Sequence, residues 1–67
     1  MEMEYEFYTE QTYTSGGVIE ARVLTAAEAA ALGYEDGLVF HSEKGKVFID
    51  GFDSEADARY RLSNLYN

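Results

Sequence analysis

The residues that could carry chemistry in this 67-residue chain are its one histidine and its many carboxylates. His41 stands next to Ser42, but neighbouring residues of a strand point to opposite faces of the sheet. A nucleophile and its base must lie within hydrogen-bonding reach, with a third group to orient the base, and this spacing provides neither. We therefore expect no catalytic residue and no enzymatic activity, and we interpret His41 as a histidine within a sheet.

The carboxylates do not form a recognisable metal site. Asp53, Glu55 and Asp57 alternate like the start of a calcium-binding loop, but Ala58 stands where that loop needs glycine and Asn64 where it needs glutamate. A chain with no cysteine and a single histidine cannot build a conventional zinc site. The glycines lack the spacing of a phosphate-binding loop. No metal and no cofactor is expected.

The charge balance indicates the kind of partner. Thirteen acidic residues against five basic ones give a formal net charge of −8, which repels nucleic acid and anionic membranes and attracts cationic surfaces. The chain shows neither the pattern of a signal peptide nor an apolar run of membrane-spanning length. We expect one domain, 1–67, with a thin core, located in the cytoplasm and binding neither nucleic acid nor membrane directly.

A row of acidic residues is predicted along the first strand. Charged residues at even positions alternate with mostly aromatic or apolar residues at odd positions, a period of two that predicts a half-buried strand. Alternate residues share one face at steps of about 7 Å, comparable to the interval between phosphates in nucleic acid. A tyrosine in the row would offer its ring to an arginine. The alternative is a solvated edge strand whose charges prevent aggregation. The row consists of Glu2, Glu4, Glu6, Tyr8 and Glu10.

A second acidic cluster stands near the C-terminus and is predicted to face the same partner. Its simplest explanation is that acidic residues cap the last helix and complement its dipole. Glu35 and Asp36 precede a glycine and are interpreted as turn residues. The members of the second cluster are Asp50, Asp53, Glu55 and Asp57.

The elements that must position these residues follow the order ββαββα. A hairpin is predicted around residues 15–17, and Thr25 and Glu28 have the spacing of a helix capping box. Gly33 suits a left-handed cap at the end of that helix. A second hairpin around residues 43–45 leads to a final helix. The predicted fold class is α+β, an antiparallel sheet of about four strands with two helices on one face.

The short length, the acidic surplus and the two acidic clusters together resemble small phage-encoded inhibitors of bacterial defence, of the anti-CRISPR and DNA-mimic type. The resemblance implies a stoichiometric inhibitor that occupies a lysine- and arginine-lined surface of a nucleic-acid-handling complex or nuclease in the bacterial host cell. Two alternatives stay open: an immunity-type protein that binds a basic toxin, and an accessory or structural domain whose acids serve solubility. Both a monomer and a homodimer fit the sequence, since tyrosines are common at interfaces.

Overall fold

The computed structural model describes residues 4–65, so that Glu2 and Tyr66 lie outside the described part of the chain. Four strands form one antiparallel sheet in the order β2-β1-β4-β3, and two helices pack on it. This architecture confirms the predicted α+β class and the element order ββαββα. The elements are β1 (Phe7–Thr14), β2 (Gly17–Thr25), α1 (Ala26–Ala31), β3 (Val39–His41), β4 (Lys46–Phe52) and α2 (Glu55–Leu65).

Strand β1 lies in the middle of the sheet, which excludes the solvated edge strand considered from the sequence. Tyr8 and Thr12 are buried on one of its faces, and Thr9 and Gln11 are buried on the other. Burying these polar side chains costs little free energy, because among the described residues no buried side-chain nitrogen or oxygen lacks a hydrogen-bond partner. The prediction of a half-buried strand with one polar face is therefore wrong.

The two helices cover opposite faces of the sheet, whereas both were predicted on one face. Ala29 of α1 belongs to the main hydrophobic core together with Ile49 of β4. Asp50 follows Ile49 and points the other way, and a guanidinium nitrogen of Arg61 in α2 lies 3.8 Å from its carboxylate. Ala58 of α2 is also fully buried. With one helix on each face, both sides of the central strand are shielded from water.

Helix α1 begins and ends as its sequence predicts. The Thr25 hydroxyl accepts the Glu28 N–H at 3.2 Å, and the Glu28 carboxylate accepts the Thr25 N–H at 2.9 Å, which completes the capping box. At the other end, Gly33 has φ of 76°, a left-handed conformation that favours glycine. The N–H of Tyr34 then donates to the carbonyl of Ala29 at 2.9 Å, as in a Schellman motif. This cap fixes where Tyr34 leaves the helix.

Helix α2 is capped at its start by Ser54. The Ser54 hydroxyl accepts the Asp57 N–H at 3.1 Å, which satisfies one of the free donors of the first turn. Leu62 and Leu65 of this helix are half-buried. Since Ser54 serves as the cap, the side chain of Asp53 is left to face the surface.

Candidate interaction surface

The segment before β1 carries Tyr5 across the end of the sheet. Its ring packs directly on Gly51 of β4, where a side chain would collide with it. Tyr8 supports the same ring edge to face, with centroids 6.2 Å apart and planes at 86°, and the Tyr8 hydroxyl accepts the Tyr5 N–H at 3.3 Å. Tyr8 is only 1% exposed, so the prediction that its ring stacks on a partner's arginine is wrong. Its role is to anchor the segment.

Carboxylates from three separate parts of the chain gather around Tyr5. Asp36, in the loop after α1, is held in place because its Oδ1 accepts the Gly51 N–H at 2.8 Å. The charge of Asp36 raises the pKa of Tyr5 above its ordinary value of 10.0, and desolvation and the charges of Glu4 and Asp53 add to this effect. The raised pKa reflects a concentration of negative charge at this end of the sheet.

A concavity of ≈ 410 Å³ opens between Tyr5 and α2, and Asp53, Asp57 and the exposed ring of Tyr60 line it. Arg61 also lines the concavity, but the carboxylate that Arg61 approaches belongs to Asp50. Within residues 4–65, no basic side chain lies within 4.0 Å of the carboxylates around Tyr5. We call this surface the Tyr5 patch; it consists of Glu4, Tyr5, Asp36, Asp53 and Asp57.

The carboxylate row predicted for the first strand does not form within the described residues. Strand β1 begins at Phe7, so Glu4 and Glu6 precede it, and Glu2 lies outside the described part of the chain. Glu4 and Glu6 are exposed, as predicted, but no strand holds them at a regular interval. The expected likeness to the spacing of phosphates is therefore wrong for these two residues.

Three other predicted site residues are paired within the chain and do not join the Tyr5 patch. Each carboxylate lies within 4.0 Å of an arginine, so its charge is partly compensated before any partner arrives. Such pairs at a surface stabilise the fold little, by about 0–1 kcal/mol each. The pairs are Arg22–Glu10 at 2.7 Å, Arg59–Glu55 at 2.6 Å and Arg61–Asp50 at 3.8 Å.

Glu10 is the centre of a polar network on the α1 face. Arg22 donates to both of its carboxylate oxygens, at 2.7 and 3.3 Å, and the Tyr34 hydroxyl donates to Oε2 at 2.5 Å. Burial raises the pKa of Glu10, whose side chain is 16% exposed. The hydrogen bonds from Arg22 and Tyr34 and the charges of Arg22 and Lys44 outweigh burial, so the pKa lies below its ordinary value of 4.5. The network ties β1, β2 and the segment after α1 together.

Sequence reasoning missed Tyr5 and Asp36, because it placed the first on the apolar side of a strand and the second in an ordinary turn. The signal that could have found them is Gly51. A glycine inside a strand weakens it and often marks a place where another part of the chain comes close. The patch therefore combines Glu4 of the predicted row, and Asp53 and Asp57 of the predicted second cluster, with two residues that only the folded chain brings near them.

No relative identifies the function of this surface. Comparison of the chain with protein-family models, with curated proteins and with solved structures found no match. Within residues 4–65, no group of three or more His, Cys, Asp or Glu side chains is placed to hold a metal ion. The helices of the same region are too short or too polar to cross a membrane. Function must be inferred from the surface itself.

Proposed function

We propose that the protein is a binding module for a basic surface of a partner protein and that the Tyr5 patch makes the contact. The observation that carries this proposal is the uneven distribution of charge. Four of the five basic residues of the chain each lie within 4.0 Å of a carboxylate outside the patch. The carboxylates of the patch have no such partner among the described residues.

Physical chemistry favours a cationic partner for such a surface. Like charges that gather without compensation repel one another, and an approaching lysine- or arginine-rich surface relieves that repulsion. The net charge of −8 steers the encounter from a distance and raises the association rate. Tyr5 and the exposed Tyr60 border the concavity, and their rings suit stacking with arginine.

The partner class that we propose is the surface by which a nuclease or surveillance complex of a bacterial defence system holds nucleic acid. Lysine and arginine line such surfaces because they neutralise phosphates. A protein with free carboxylates competes for the same side chains, so the proposed activity is stoichiometric inhibition in the bacterial cytoplasm, of the anti-CRISPR or DNA-mimic kind. The net charge supports this proposal. An immunity-type protein against a basic toxin would use the same electrostatics, and the identity of the captured partner distinguishes the two.

The experiment is capture of partners from a bacterial lysate with three forms of the tagged protein. The patch variant is Glu4→Gln/Asp53→Asn, which spares Asp36 because that residue also holds β4. The control variant is Glu20→Gln/Glu43→Gln, which removes the same charge from exposed positions outside the patch. We expect the wild type and the control to retain a basic protein in about 0.1 M salt and to release it in about 1 M salt, where screening acts over about 3 Å. Equal retention by the patch variant would contradict the proposal.

A further inference from the structure

The face of the sheet that carries α2 has a second concavity, with a different character from the Tyr5 patch. Its volume is ≈ 450 Å³ and its floor is aromatic, formed by Tyr13 of β1 and Phe48 of β4. Val39 pairs with Phe48 in the sheet, shares its face and is 46% exposed, so the apolar surface continues onto β3. We call this surface the Phe48 platform; it consists of Gln11, Tyr13, Val39, Lys46, Phe48, Asp50 and Arg61.

A buried amide holds the Phe48 platform rigid. Gln11 is 1% exposed, and its Nε2 donates to Thr9 Oγ1 at 2.8 Å and to Asp50 Oδ2 at 3.1 Å. Its Oε1 accepts the Tyr13 hydroxyl at 3.1 Å. The ring of Tyr13 meets that of Phe48 edge to face, with centroids 5.2 Å apart. Because the amide fixes both Tyr13 and Asp50, a ligand would not need to order them on binding.

Among residues 4–65, the two least compensated cations border this platform. The Nζ of Lys46 lies 5.4 Å from the centre of the Phe48 ring, and no carboxylate of residues 4–65 lies within 4.0 Å of it. Arg61 is 3.8 Å from Asp50, whereas the other three ion pairs are 2.6 to 3.0 Å long. A strongly acidic chain thus keeps its least compensated positive charge beside the half-buried rings of Tyr13 and Phe48.

We propose that the Phe48 platform binds a segment of a partner protein in which an aromatic or large aliphatic side chain stands next to one carboxylate. The apolar side chain packs on Tyr13 and Phe48, and the carboxylate lies between Lys46 and Arg61. A single carboxylate suits the site, because the net charge of −8 repels a ligand with many negative charges. A nucleic-acid strand is therefore the less favoured occupant. This proposal does not depend on the Tyr5 patch.

The test is a titration of the ¹⁵N-labelled full chain, followed by NMR, with the blocked dipeptide N-acetyl-Phe-Asp-amide. We expect the amide chemical shifts of Tyr13, Lys46 and Phe48 to change and to saturate as the dipeptide is added. N-acetyl-Phe-Asn-amide, which lacks the charge, should bind about two- to fivefold more weakly, as expected for one exposed ion pair. N-acetyl-Ala-Asp-amide, which lacks the ring, should bind more weakly too. Lys46→Gln should weaken binding of N-acetyl-Phe-Asp-amide by the same factor. The matched control is Lys44→Gln, because Lys44 is an exposed lysine that pairs with Glu20. This control should bind the dipeptide like the wild type.

Four results would overturn the proposal. The first is equal affinity of Lys46→Gln and Lys44→Gln for N-acetyl-Phe-Asp-amide when both spectra keep the dispersion of the folded chain. The second is a set of shifts that lies away from the platform or does not saturate. Tighter binding of adenosine monophosphate than of N-acetyl-Phe-Asp-amide would reassign the site to nucleotides. Shifts at Phe48 on dilution of the free protein, with a change in sedimentation, would show that a second copy occupies it.

Discussion

The ring of Tyr5 packs so closely on Gly51 that a β-carbon at Gly51 would lie 2.6 Å from Cγ of Tyr5. The backbone N–H of the same glycine donates to Asp36. One residue near the end of β4 thus places both the ring of Tyr5 and the carboxylate whose charge most affects it. The Tyr5 patch depends on the absence of a side chain at this position.

Gly51→Ala should displace Tyr5 and destabilise the protein by about 1–3 kcal/mol, the usual cost of overpacking a filled site. The measurement is urea unfolding, together with the NMR shifts of the Tyr5 ring. Gly16→Ala is the control, because a β-carbon there would have its nearest neighbour at 3.7 Å. Unchanged stability and unchanged Tyr5 shifts in Gly51→Ala would show that the contact does not position the ring.

Asp36→Asn should lower the pKa of Tyr5 toward 10.0, because it removes the largest of the charges that raise it while an amide oxygen can still accept the Gly51 N–H. The phenol of the wild type ionises less readily when folded, so this group favours unfolding as pH rises above about 10. That loss of stability should be smaller in Asp36→Asn. NMR titration of the Tyr5 ring measures the pKa. The control variant Glu35→Gln removes a neighbouring charge and should leave the pKa of Tyr5 unchanged. Equal changes of the Tyr5 pKa in both variants would contradict the assignment of the effect to Asp36.

Tyr34→Phe should destabilise the protein by about 1–2 kcal/mol near neutral pH, because Glu10 loses a hydrogen bond to its charged form. The lowered pKa of Glu10 means that its stabilising contribution is present above pH 4.5 and is lost as pH falls through the folded pKa. The difference in stability between Tyr34→Phe and wild type should therefore shrink as the pH falls below 4.5 through the folded pKa of Glu10. Thermal unfolding at neutral pH and at a series of acidic pH values measures it. Tyr60→Phe, at an exposed ring, should show no such pH dependence; a constant difference for Tyr34→Phe would contradict the account.

Gln11→Met should destabilise the protein by about 1–3 kcal/mol, since it leaves the groups that the amide satisfies without partners in a buried place. Tyr13→Phe removes one of those hydrogen bonds and should cost about 0.5–1.5 kcal/mol. Chemical unfolding of both variants gives the comparison. A Gln11→Met protein as stable as the wild type would mean that the polar network does not support the sheet.

Much of the fold is local and was predicted from the sequence. Thr25 and Glu28 specify a capping box at the start of α1 by their spacing alone. Gly33 supplies the left-handed cap at the end of the same helix. The glycines at residues 15–17 and 43–45 likewise predicted both hairpins, because the turn of a hairpin is formed by residues that are adjacent in the sequence. These features need no knowledge of the distant chain.

The rest depends on contacts between distant residues. An alternation of charge and aromatic side chains looks the same in an extended segment as in a strand, so the residues from Glu4 to Glu6 were assigned to the sheet. Tyr8 was placed on the exposed side because its burial arises from strands β2 and β4, which pair with it at Leu24 and Gly51. The position of β1 at the centre of the sheet, and one helix on each face, are properties of the whole topology.

The most direct test of the central claim is the affinity of the captured partner for the wild type, the patch variant Glu4→Gln/Asp53→Asn and the control Glu20→Gln/Glu43→Gln, measured by titration calorimetry at low and high salt. If the Tyr5 patch is the contact, the patch variant should bind about two- to thirtyfold more weakly than the wild type at low salt, as expected for the loss of two ion pairs. The control should bind like the wild type, and high salt should reduce the difference. Equal weakening by the patch and control variants would show that only the net charge matters, and it would contradict the assignment of the site.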